Sequence, residues 1–208
     1  MSPSPLYQAA ATSLRAAYDR SAEARNSSER ALWQLKERDA FLARLQHEGK
    51  RSLFEVGAGA GHDSRHFADN GLTVVATDLS PQMVAMCRSR GLEAYIMDVL
   101  QLDLSTGPFD AAYAMNSLLH VPNSDLPDAL AAIRRSLNPG SLFYLGVYGG
   151  PEPFEGVLSS DWHVPPRFFS FRTDSQLLAE VEPLFCVEDF HVVEENSYFQ
   201  ALTLRALA

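Results

Sequence analysis

Apolar and polar positions along this chain follow first a helical period and then a strand period. Leu6, Ala10, Leu14, Ala17 and Tyr18 recur on one face of a predicted helix over Pro5–Ser21. Leu32, Leu35, Phe41 and Leu45 form the stripe of a second, over Glu29–His47. Asn26, Ser27 and Ser28 break the first, Ser27 or Ser28 is placed to cap the second, and Gly49 is placed to end it. Beyond Lys50 the pattern changes to short apolar runs, which predict strands at Arg51–Val56, Leu72–Thr77, Glu93–Met97, Phe109–Met115 and Ser141–Val147. Helical segments are predicted between and after them: Gly61–Asn70, Pro81–Arg90, Leu126–Leu137 and Asp174–Pro183. Ser80 caps the second of these four, with Pro81 at its first position. Two closing strands, Phe185–Val193 and Tyr198–Arg205, are joined by a turn at Glu194–Asn196. That turn is too short for a parallel crossover, so the pair must be antiparallel.

Alternation of apolar strands with helices predicts a doubly wound, mostly parallel sheet between two helical layers, a three-layer α/β/α arrangement. The 208 residues suggest one domain. Residues 1–48 are its helical cover, residues 49–208 its core, and the glycine- and proline-rich segment Gly149–Pro166 a loop able to serve as a lid.

The stretch LFEVGAGAGHDSRHFADNG, Leu53 to Gly71, organises the rest. A strand ends at Val56, glycines follow at alternate positions 57, 59 and 61, and a helix begins. Glycine tolerates positive φ and lets a ligand approach the backbone, while the helix start offers free N–H groups. In such sheets ligands lie beyond the carboxyl ends of the strands. Four strand ends carry polar residues there: Glu55, Asp78, Asp98 and Asn116. Asp78 stands 21 positions after Gly57, the separation at which a carboxylate reaches a ribose diol. Asp98 is placed to receive an adenine amino group. The dinucleotide fingerprint is not met, because His62 stands where its third glycine belongs and Glu55 would repel a pyrophosphate. No Gly-Lys-Ser/Thr follows, which excludes a P-loop.

The formal charge of −9 argues against a nucleic-acid backbone as partner. Cys87 and Cys186 suggest neither a disulfide framework nor a zinc site. With no secretory leader pattern and no apolar run of membrane-spanning length, the expected setting is the cytoplasm, without membrane association. His62, Asp63 and His66 form H-D-x-x-H, with histidines four apart on one helix face, but no third ligand is evident and no metal is expected.

Together FEVGAGAG, VVATDLS, IMDVLQLDL and FDAAYAMNSLLHVP resemble the class I S-adenosylmethionine-dependent methyltransferases. The tail from RFFSFRTDSQLL to FQALTLRA is similar to small-molecule members from bacteria. The resemblance implies a Rossmann-like, seven-stranded sheet with an antiparallel last strand. S-adenosyl-L-methionine would then be the cofactor. It further implies that Gly57, Ala58, Gly59 and Gly61 pass under the methionine part, with Glu55 near its ammonium. Asp63 matches a residue common in the motif. By the same resemblance Asp78 holds the ribose, Leu79 and Met83 pack on the adenine, and Asp98 and Val99 lie at its edge. Asn116 sets its backbone against the methionine, and Tyr18 closes over the carboxylate. His120 falls on the acceptor side, where an imidazole can act as general base. Tyr148, Trp162 and His163 are candidate acceptor contacts on the lid. The expected reaction is methyl transfer to an oxygen or nitrogen of a small molecule, since no carbanion-stabilising group is visible. Two rivals are a methyltransferase of nucleic acid or protein, and a cofactor-binding protein that uses the sulfonium otherwise. Both a monomer and a homodimer fit the sequence.

Overall fold

The computed structural model describes residues 3–104, 107–195 and 197–208; Asn196, in the predicted last turn, lies outside the described residues. Seven strands form one sheet: β1 (Ser52–Val56), β2 (Thr73–Asp78), β3 (Glu93–Ile96), β4 (Phe109–Met115), β5 (Leu137–Tyr148), β8 (Phe185–Val193) and β9 (Phe199–Ala206). Their order is β3-β2-β1-β4-β5-β9-β8. The first five run parallel, and β9 is antiparallel to both its neighbours, β5 and β8.

Alternation along β1 explains the two core layers. Phe54 and Val56 face a cluster completed by Leu126, Leu130 and Ile133 of α5 (Leu126–Arg135) and Leu177 and Val181 of α6 (Asp174–Val181). Leu53 faces the opposite cluster, with Phe41, Leu42 and Leu45 of α2 (Leu32–His47) and Phe67 of α3 (His62–Asp69). On that side Tyr113 stacks on Tyr144 at 5.0 Å, and Phe41 covers both. Replacing Phe41 by Ala would cost about 3–5 kcal/mol. The helix α4 (Pro81–Ser89) packs on β2 and β3, capped by Ser80, whose hydroxyl accepts from the Met83 N–H at 3.1 Å.

Three expectations are corrected. The helix α1 runs over Pro5–Asn26, five residues past its predicted end, and α2 starts at Leu32 with Ala31 at the cap position. Neither Ser27 nor Ser28 caps α2; both bond back to α1 carbonyls. Glu29 and Arg30 therefore stay in a connector. The segment expected to be a loop contains β6 (Phe154–Val157), paired antiparallel with β7 (Phe168–Phe171) in a separate two-stranded sheet. Its inner residues, Phe169 with Leu158 and Phe171, join the α5/α6 core cluster, which supplies the burial that a hairpin alone lacks. Finally, β5 begins at Leu137, so Pro139-Gly140 lie within the strand, at a register irregularity beside Phe109 and Ala111.

Candidate active site

The carboxyl ends of β1, β2 and β4 and the start of α4 border a cavity of about 210 Å³, adjoined by a second of about 70 Å³. The glycine turn forms the floor. Gly57, Gly59 and Gly61 adopt φ of 71°, 56° and 82°, the left-handed region that favours glycine. At Gly57 a Cβ would come within 2.5 Å of Ser117, and at Gly61 within 2.9 Å of Cys87 and Leu92. At Gly59 it would meet nothing within 4 Å, because that glycine and Ala58 face the cavity. Close packing on one side and open space on the other leave the turn's backbone toward a ligand.

Asp78, at the end of β2, fixes this turn. One carboxylate oxygen accepts from Gly59 N–H and the other from Ser80 N–H, both at 2.8 Å. Each oxygen keeps a lone pair. Burial raises the Asp78 pKa, although the two N–H groups oppose it. Leu79 and Met83 wall the larger cavity, while Leu79, Asp98 and Val99 line the smaller. Asp98 accepts from Tyr7 Oη at 2.5 Å and from Leu100 N–H at 2.9 Å, which ties α1 to the site. Asn116 sits at φ 58°, its N–H on the Gly146 carbonyl, and its Oδ1 has no partner among the described residues. The same holds for Ser117 Oγ, between the two cavities.

The cover comes from α1, its connector and the start of α2, with Leu14, Tyr18, Arg25, Glu29, Arg30 and Gln34 all lining the larger cavity. Three bonds hold α1 down: Ser4 and Asp125 (2.6 Å), Tyr7 and Asp98, and Asp19 accepting from Ser80 Oγ (2.6 Å). Past Asn26, Arg90 donates to Asn26 Oδ1 at 2.7 Å, and Arg30 pairs with Asp63 at 2.8 Å.

Polarity in the acceptor-side network follows from elementary donor rules. His120 Nδ1 lies 2.7 Å from the Phe168 carbonyl, which can only accept, so Nδ1 carries the hydrogen. The bare Nε2, 3.0 Å from Tyr18 Oη, therefore accepts the Tyr18 hydrogen. Arg167 can only donate and reaches the same oxygen at 3.1 Å. Asp161, its carboxylate 1% exposed, anchors Arg167 at 2.8 Å and His163 Nδ1 at 2.9 Å. Burial drives the His120 pKa down to about 3, so the ring is neutral at physiological pH.

Several sequence-based placements change. His120 lines both cavities, but as a neutral acceptor already bonded to Tyr18, not as a free base. The Tyr18 hydroxyl has given its hydrogen to His120, so it has none to offer a carboxylate. Glu55 does not line either cavity; its carboxyl turns beneath α3 to accept from Ser64 Oγ at 2.5 Å. Burial, with the Asp63 charge adding to it, pushes Glu55 up to about 8. Asp63 is also buried and is committed to Arg30 and Arg38, a lock between α3 and the cover. On the lid, Trp162 is 69% exposed and stacks on His163 at 3.9 Å, while Tyr148 packs on Phe199. None of those three lines either cavity: Trp162 is turned to solvent, and Tyr148 ends β5. H-D-x-x-H disperses: His62 Nε2 bonds the Asn26 carbonyl at 3.2 Å, and His66 faces Asp39. Sequence reasoning missed Tyr7, Arg25, Arg30, Ser117 and Arg167. Only the chain break after Asn26 hinted at a connector that could lie across the site.

Known proteins share this fold. Residues 53–140, which hold the glycine turn, Asp78 and Asn116, match the family model of the methyltransferase domain. A ubiquinone biosynthesis O-methyltransferase of Xanthomonas oryzae pv. oryzae is 38% identical over 116 residues, 52% of this chain and 47% of that protein. A malonyl-[acyl-carrier protein] O-methyltransferase of Enterobacter lignolyticus is 36% identical over 107 residues, 50% and 41% of the two chains. The chain thus spans about half the length of the curated relatives it matches. The solved structure of Burkholderia thailandensis 1,6-didemethyltoxoflavin-N1-methyltransferase, with bound 1,6-didemethyltoxoflavin and S-adenosylhomocysteine, superposes with TM-score 0.77 at 21% identity, over 100% of this chain and 93% of that one.

Proposed function

Because the chain belongs to the class I S-adenosylmethionine-dependent methyltransferase family, we propose that it transfers a methyl group to an oxygen or nitrogen of a small molecule. The observation that carries this reading is Asp78. A buried carboxylate clamps the glycine turn and keeps lone pairs toward a cavity of nucleoside-like lining. The residues present fit the cofactor. Gly59 opens into the cavity, Leu79 and Met83 give apolar walls, and Ser117 Oγ and Asn116 Oδ1 are polar atoms in want of a partner. Asp78 would hold the ribose hydroxyls. Arg25, which forms no ion pair among the described residues, and Arg30 would meet the methionine carboxylate.

Bound there, S-adenosyl-L-methionine would supply a methyl group on a positively charged sulfur for transfer to the acceptor oxygen or nitrogen, the sulfur keeping the carbon–sulfur pair and the acceptor's proton leaving to water. The chain's own contribution is orientation and exclusion of water. Fixing two reactants in line is worth on the order of 7–11 kcal/mol. His120 serves as a positioning residue, since its only free nitrogen holds Tyr18.

The acceptor is small because the cover leaves a bounded cavity beneath α1, and the acidic surface disfavours a polynucleotide. No described helix is long and apolar enough to cross a membrane. We propose a cytoplasmic setting, in keeping with two cysteines that stay unpaired. The test is calorimetry with S-adenosylhomocysteine, then a screen of metabolite pools with methyl-labelled cofactor. Binding without label transfer to any small molecule would favour the cofactor-binding rival. No binding would sink the proposal.

A further inference from the structure

The Tyr18 hydroxyl has one hydrogen and two lone pairs, and partners among the described residues use all but one lone pair. The hydrogen goes to His120 Nε2, and one lone pair receives Arg167. Both partners are held from behind: His120 by the Phe168 carbonyl at 2.7 Å, Arg167 by Asp161 at 2.8 Å. Neither can reverse its polarity, because a carbonyl cannot donate and a guanidinium cannot accept. Tyr18 and His120 both line the larger cavity, and the rings meet edge-on at 5.9 Å. Arg25 lies over the Tyr18 ring at 5.0 Å.

We propose that Tyr18 is a specificity-determining residue for the acceptor: its one remaining lone pair admits a nucleophile that carries a hydrogen, a hydroxyl or an amino group, and disfavours a carboxylate. This rests on the methyltransferase reading and narrows it. A hydroxyl or amine donates to Tyr18 Oη, and its own lone pair is left to point elsewhere in the cavity. A carboxylate would set lone pair against lone pair, with no hydrogen on Tyr18 to relieve the repulsion. An ether or ester oxygen would leave Tyr18 unpaired. The His120 ring enforces the rule at a distance. It stays neutral, so Nε2 remains an acceptor and keeps the Tyr18 hydrogen away from the ligand.

The test uses the intact protein saturated with S-adenosylhomocysteine and four monosubstituted benzenes: phenol, aniline, anisole and benzoate at pH 7.5. Binding is followed by ligand-observed NMR. Phenol and aniline should bind about tenfold tighter than anisole and benzoate, the order of one buried hydrogen bond. In Tyr18→Phe that preference should vanish, because His120 Nε2 is left as a bare acceptor beside Arg167 Nη1 as a free donor, while affinity for S-adenosylhomocysteine stays within about threefold. His120→Ala should free the Tyr18 hydrogen and let benzoate and anisole approach phenol in affinity. A merely structural role for His120 would not reverse the preference in this way. Should His120→Ala fail to fold, the Tyr18→Phe arm decides alone. The inference is overturned if benzoate binds wild type as well as phenol does, if the preference survives Tyr18→Phe, or if neither phenol nor aniline binds at millimolar concentration. A loss of S-adenosylhomocysteine affinity in Tyr18→Phe would also overturn it, by placing the hydroxyl on the cofactor. Failure of wild type to bind S-adenosylhomocysteine would instead strike at the methyltransferase reading.

Discussion

Replacing Asp78 by Ala separates two consequences that the structure ties to one carboxylate. In the free protein it accepts from Gly59 and Ser80 N–H, each at 2.8 Å. Such charge-assisted bonds are worth about 1.5–3 kcal/mol each. The Gly59 N–H borders the cavity, so water can replace its partner. The Ser80 N–H is buried at the start of α4, and its loss is the larger one. Relief from burying a charge, which raises the Asp78 pKa, offsets part of this. A net loss of about 2–4 kcal/mol would lower Tm by on the order of 10 °C in a chain of this size. For the ligand, two ribose hydroxyls lose their acceptor. Water would restore part of each bond, leaving about 2–3 kcal/mol, or roughly 30- to 150-fold in Kd. Calorimetry with S-adenosylhomocysteine, well below the variant's Tm, measures the second effect free of the first. Asp78→Asn, with one accepting oxygen kept, should fall between wild type and Ala in Tm. A folded Asp78→Ala with unchanged affinity would refute the placement of the ribose and weaken the proposed site as a whole.

Three further outcomes follow from charge and anchoring. Glu55 has its pKa raised from 4.5 to about 8 by burial, so the folded state keeps a proton that the unfolded chain has lost. Its contribution is full below about 4.5 and declines, by at most about 1.4 kcal/mol per pH unit, as pH rises toward 8; Glu55→Gln should therefore gain Tm relative to wild type across that window, and parallel melts would contradict it. His120 goes the other way, from 6.5 to about 3, so its contribution is present above 6.5 and is lost as pH falls toward 3. The rate should show no limb from this histidine between pH 5 and 8, and a limb near 6.5 that disappears in His120→Gln would mean the ring is solvated. For the cover, bonds at Ser4, Tyr7 and Asp19 already hold α1 without ligand. Hydrogen exchange on addition of S-adenosylhomocysteine should slow mainly from Arg25 to Gln34, and equal slowing along all of α1 would show that the helix moves as a unit.

The parts of this molecule legible in the sequence are those in which one residue's chemistry suffices. Glycines at 57, 59 and 61 mark a turn because other residues would strain there, and all three adopt positive φ. The mostly parallel sheet followed from apolar runs alternating with helices, and the antiparallel closing pair from a connection too short to cross over. What stayed hidden depends on partners distant in sequence. The segment Phe154–Val157 carries a glycine and little apolar surface, and it becomes a strand only because Phe168–Phe171 lies beside it. Arg25 lay between the two predicted helices and Arg30 inside the second, and neither was singled out; α1 runs on to Asn26 and α2 begins late, which lays both across the cavity.

His120 shows the limit most clearly. Its position after β4 put it correctly at the cavity, and its type suggested a base. Its state is set by Phe168, 48 positions away, and by Tyr18, 102 positions away. A carbonyl on one nitrogen fixes the tautomer, and a tyrosine on the other takes the lone pair that a base would need. Residue type sets what a side chain can do, while the hydrogen-bond partners decide which of those capacities remains. Under the specificity role proposed for Tyr18, acceptor contact passes from the imidazole to the tyrosine hydroxyl bonded to it.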